Sequence, residues 1–142
     1  MSRPEAWFHQ LANLLVAATG LAWAWTLWWC EPADEFALVN HPLQPWFQAG
    51  HLWTAPLLVF SAGLLWREHA WRRLRRGGRG GRRSGLALMA TLAPMVASGF
   101  FLQTAAEESG RRLWLAVHLT ASALWLLSWV GHQLRRLGRR RP

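Results

Sequence analysis

Charge is missing from this chain in four long blocks, and nothing else in the sequence constrains the fold as strongly. Ala6 to Trp29, Phe36 to Trp66, Leu86 to Ala106 and Leu113 to Leu134 hold no Asp, Glu, Lys or Arg. Each is long enough for the roughly 20 apolar residues of a bilayer-spanning helix. A helix in a soluble bundle shows charge on its outer face at every turn, whereas these blocks are apolar all round. The expected fold class is all-α integral membrane: a four-transmembrane-helix bundle in a single domain covering 1–142. Its spans are expected at 6–29, 45–66, 86–106 and 113–134, with a basic loop at 67–85. The first block is too long for a signal-peptide core, Arg3 is its only basic flank, and "TLWWCEPA" lacks small residues placed for cleavage or for lipid attachment at Cys30. It is expected to persist as a helix.

Arginine orients the spans. Of 16 Arg, eight lie from Arg67 to Arg83 and five from Arg135 to Arg141, while Trp29 to Gly50 has none and carries Glu31, Asp34 and Glu35. By the positive-inside rule both termini and the middle loop are expected to be cytoplasmic, in a bacterial inner membrane. The loop "RRLRRGGRGGRRSG" also matches the Arg-Gly-Gly runs of RNA-binding segments. In a chain with four spans it reads as a basic loop lying against anionic lipid, so the net charge of +9 points to membrane lipid and not to nucleic acid.

Other chemistry is sparse. One Cys excludes an intrachain disulfide and a Cys-ligated iron-sulfur cluster, and no phosphate-binding glycine loop or Ser/His/Asp arrangement stands out. Most of the Trp residues sit near span ends, as an interfacial belt requires. Trp23, Trp25 and Trp125 lie deeper, where they either pack the bundle or line a flat cofactor.

Histidine is what remains. A buried imidazole is costly in lipid without a partner, so a His within a span is a candidate functional residue. His118 and His132 are 14 residues apart. At ~100° and ~1.5 Å per residue they return to within about 40° of one helix face, about 21 Å apart. Zinc gathers three or four ligands at one point, and this pair stands at two. A cofactor taking one axial ligand from each of two helices fits better, and two stacked haems would use both residues.

Each haem then needs a second His at equal depth. With Pro45 at the start of the second helix and Arg112 at the start of the fourth, His51 and His118 fall at similar depth. His9, counted back from Trp29, matches His132 counted from Arg112. His69 is the alternative inner ligand, on the same face as His51 but deeper and flanked by Arg67 and Glu68. His41 precedes Pro42 in the acidic connection and reads as a loop residue.

A four-helix chain with a His near the inner end of the first helix, another near the outer end of the second and a 14-residue His pair on the fourth resembles the membrane cytochrome b subunits of formate dehydrogenase and nickel-iron hydrogenase. The resemblance covers most of the chain and is carried by spacing and topology. It implies an outer haem b held by His51 and His118, an inner one held by His9 and His132, and electron exchange with quinone. It also implies a small residue and a glycine after the first-helix His, offered here by Thr19 and Gly20 in "HQLANLLVAATG". Two haems are expected; occupancy of His51 and His118 alone would make a monohaem variant.

With His at both axial positions the iron has no open site, so the expected task is one-electron transfer. Gly20, Ala62, Gly63, Ser98 and Gly99 either let helices approach or make room for a porphyrin. Arg111 and Arg112 near the outer pair, and Arg3, Arg135 and Arg136 near the inner one, are candidate partners for haem propionates. The outer connection is too short to be a redox domain. A separate periplasmic redox subunit is therefore expected to dock, near Glu31, Asp34 and Glu35 or near Glu107 and Glu108, in a hetero-oligomeric complex. Two other classes stay open: a haem-free anchor or assembly subunit with His as interhelical hydrogen-bonders, and a proton-relay or transport protein.

Overall fold

The computed structural model describes residues 2–66, 71, 75 and 82–138. Among them are four α-helices and no strand: α1 (Arg3–Trp28), α2 (Gln44–Leu65), α3 (Arg82–Thr104) and α4 (Glu108–Gly138). The helices exceed the uncharged blocks mainly where polar end residues join the first turn. Ser2 caps α1 in a capping box: its Oγ accepts from the Glu5 N–H at 3.3 Å, and Glu5 Oε2 accepts from the Ser2 N–H at 2.7 Å. At the start of α4, Glu107 just before the helix and Glu108 in its first turn stand where the helix dipole favours anions, and Arg112 donates to Glu108 at 2.9 Å one turn on. Arg111 and Arg112 are thus inside α4, and Arg82 and Arg83 inside α3, so the basic connection ends earlier than 85.

Three helical segments are long and apolar enough to cross a membrane: Arg3–Trp28, Gly85–Thr104 and Glu108–Arg135. Helix α2 is also uncharged along its 22 residues, with Gln48, His51 and Thr54 set among its Leu, Val and Phe.

The chain divides into two compact units, 1–69 and 70–142. In the first, α1 and α2 run antiparallel. Phe8 meets Phe60 edge-on at 6.1 Å and His9 meets Ser61, while farther along α1 Thr19 meets Thr54 and His51. Asn40 ties the connection to the end of α1 by donating from Nδ2 to the Leu27 carbonyl at 3.1 Å. In the second unit a three-residue link joins α3 to α4, and Phe101 stacks on Trp114 at 4.4 Å beside it. Of the ten buried positions among the described residues, seven are small or polar, Ala12, Asn13, Thr26, Ser61, Ala62, Ser98 and Ala121, and three are large, Leu58, Met95 and Trp125. Large apolar side chains such as Leu21, Phe60, Phe100 and Leu127 point outward. Packing small residues in the seam and Leu or Phe outside is the arrangement lipid favours.

Candidate functional site

Both units hold a histidine in the same way. His51 on α2 faces α1, where its Nδ1–H donates to the Val16 carbonyl at 3.1 Å, with Thr19 Oγ1 at 3.4 Å. His118 on α4 faces α3, where its Nδ1–H donates to the Met95 carbonyl at 3.0 Å, with Ser98 Oγ at 3.3 Å. A carbonyl can only accept, so in each neutral ring the proton belongs to Nδ1 and the lone pair to Nε2. That is the tautomer in which Nε2 ligates a metal, with the opposite nitrogen anchored to fix the ring.

Glycine makes the approach. A Cβ at Gly20 would lie 2.9 Å from His51 Cε1 and 3.0 Å from its Nδ1; one at Gly99 would lie 3.2 Å from His118 Cε1. Residues four apart share a helix face, so a glycine uncovers the carbonyl four positions before it. The hydroxyl beside each glycine turns back on its own helix. Thr19 Oγ1 donates to the Leu15 carbonyl at 2.7 Å and Ser98 Oγ to the Pro94 carbonyl at 2.6 Å.

The two cradles are one sequence pattern written twice. "VAATG" from Val16 to Gly20 and "MVASG" from Met95 to Gly99 place carbonyl, hydroxyl and glycine at the same offsets. "AGHL" at Ala49 and "AVHL" at Ala116 carry the two histidines, each with a Ser ten positions on, at Ser61 and Ser128. Sequence reading missed this repeat because the connections differ. The carbonyl-to-His separation is 35 residues in the first unit and 23 in the second, so no fixed period exists.

His9 is bonded differently. Ser61 Oγ gives its own proton to the Leu58 carbonyl, so His9 Nδ1–H donates to Ser61 Oγ, at 2.8 Å. Asn13 Nδ2 donates both to the His9 carbonyl at 2.8 Å and to His9 Nε2 at 3.1 Å. The nitrogen that would meet iron therefore already accepts an amide proton, and Asn13 and Ser61 are both buried. The repeat fails here too. Leu88 stands in the second unit where His9 stands in the first, and Leu65 in the first where His132 stands in the second.

His132 is half-buried on α4. His41 belongs to the turn before α2, accepting from the Leu43 N–H at 3.1 Å and packing on Trp25 at 5.4 Å, so Trp25 serves the connection. His69 and most of the basic loop lie outside the described residues, as does the Arg136 side chain. Arg3, Arg111, Arg112 and Arg135 are exposed, Arg112 in its pair with Glu108. Since α4 begins at Glu108 and α2 at Gln44, helix starts alone do not match the depths of His118 and His51. Ala62 is buried in the seam, while Gly63 has open space around its Cα. Among the described residues no three His, Cys, Asp or Glu side chains gather into a metal-ligating cluster.

No family model matches the chain, and neither a curated protein nor a solved structure matches it.

Proposed function

We propose that this protein is a b-type membrane cytochrome of four spans that moves electrons across a bacterial inner membrane. The observation that carries the reading is the repeated histidine cradle. Two imidazoles are each fixed in the Nδ1–H tautomer by a backbone carbonyl, against a glycine that exists to admit the ring. By the resemblance, His51 and His118 would be the iron ligands of a haem b. A bound haem supplies one-electron redox chemistry at its iron. Filling both axial positions with His closes that iron to oxygen and substrate. The carbonyls of Val16 and Met95 hold the rings in orientation and make each Nε2 a better donor.

Four spans accord better with charge than three. If α2 stayed outside the bilayer, the arginine-rich loop would lie on the outer side with it, against the positive-inside rule. A second haem on His9 and His132 requires the Asn13 amide to leave His9 Nε2; His69 remains the alternative inner ligand. Quinone as the electron exchanger, a periplasmic redox partner and a hetero-oligomeric complex complete the reading. The anchor alternative draws support from one place, the His9–Asn13–Ser61 network, which joins α1 to α2 without any cofactor.

Haem per chain, measured by pyridine haemochrome on protein purified in mild detergent, tests the proposal. His51→Ala and His118→Ala are each expected to remove the same spectral haem. A wild type that takes up no haem under ample supply would leave the anchor reading standing.

A further inference from the structure

We infer that Trp23 is a hydrogen-bond donor to the group bound beside His51, its indole N–H binding a carboxylate oxygen of a haem propionate. The inference rests on the haem reading above. Among the described residues, Trp23 Nε1 is the one buried side-chain polar atom with no hydrogen-bond partner. The large majority of buried side-chain donors in native proteins have an acceptor, so an orphaned one points to a missing acceptor. Its place in the fold says which. Val16, Thr19, Gly20 and Trp23 recur at offsets of three, four and seven on α1, the spacing of one helix face. The first three form the His51 cradle. The Trp23 ring lies 6.0 Å from the His51 ring, tilted by 50°.

The hairpin does not need this donor for its own construction. In the repeated unit the equivalent position is Leu102, beside a cradle with its carbonyl, hydroxyl and glycine at the same offsets. Trp at a membrane interface ordinarily turns its N–H toward water or headgroups, but this nitrogen is shielded from solvent. Within reach of an imidazole-bound porphyrin, the strongest acceptors are the propionate carboxylates, and a bond to an ionised acceptor is about twice as strong as a neutral one.

The test is resonance Raman spectroscopy on the full-length protein. Ultraviolet excitation reports hydrogen bonding of the indole N–H, and Soret excitation reports the propionate bending mode. The wild type is measured haem-free, loaded with haem b and loaded with haem dimethyl ester, so the first readout needs no variant. One Trp of the twelve is expected to move to the hydrogen-bonded position on loading haem b and to move less with the ester. Trp23→Phe, which keeps an aromatic ring, is expected to abolish that change and shift the propionate mode of the haem that binds. A loaded protein whose indole spectrum equals that of the haem-free form overturns the inference and leaves the haem reading intact. Failure to load haem of either kind overturns both.

Discussion

Replacing Gly20 by Ala tests the histidine cradle most directly, and its size follows from the structure. The added Cβ would lie 2.9 Å from His51 Cε1 and 3.0 Å from Nδ1. Favourable carbon contacts sit at about 3.5–4.0 Å, so the ring must retreat by about 0.6–1 Å. A retreat of that size along the hydrogen bond would stretch the 3.1 Å contact between Nδ1 and the Val16 carbonyl beyond hydrogen-bonding length. Overpacking costs about 1–3 kcal/mol, offset by about 1 kcal/mol from the better helix propensity of Ala. The net expectation is a loss of up to about 2 kcal/mol together with weakened haem retention. Gly99→Ala, where the nearest approach to His118 is 3.2 Å, should be milder. Gly63→Ala, with nothing within 4 Å, should be neutral or stabilising. Unfolding by denaturing detergent and haem content, measured on the three variants side by side, check the order. Equal behaviour of Gly20→Ala and Gly63→Ala would refute the cradle.

Three further outcomes are expected. Asn13→Ala should weaken the first hairpin by about 0.5–1.5 kcal/mol in the same unfolding assay, since it removes the donor to His9 Nε2. If His9 also ligates a haem, its haem content should hold or rise, and a fall would remove His9 from the ligand set. The single thiol, Cys30, should react with a membrane-impermeant maleimide from the periplasmic side of spheroplasts; labelling only after permeabilisation would reverse the topology. Glu108→Ala should alter stability by less than about 1 kcal/mol, because its pair with Arg112 is solvent-exposed; a larger loss by thermal denaturation would show that the start of α4 is anchored through it.

Sequence alone determined the helices and the residues at issue. A run without charge long enough to cross lipid must satisfy its backbone internally, and a helix does so with local bonds that a single sequence can declare. The same logic put forward His9, His51, His118 and His132 together, because imidazole in an apolar span needs a reason. Helix ends were legible only to within a turn or so: polar end residues tolerate either water or a helix's first turn, and at α1 and α4 the Ser2–Glu5 and Glu108–Arg112 pairings decide between them. What only tertiary structure decided was which atoms meet. His9 and His51 look alike as letters, yet one meets Asn13 and Ser61 through both ring nitrogens, and the other meets the Val16 carbonyl and the Thr19 hydroxyl beside a glycine. Gly20 and Gly63 are both glycines inside apolar helices, and only packing shows that a ring lies against the first. Tautomer, ring orientation and close approach belong to pairs of residues far apart in the chain, and so they are fixed only when one helix lies against another.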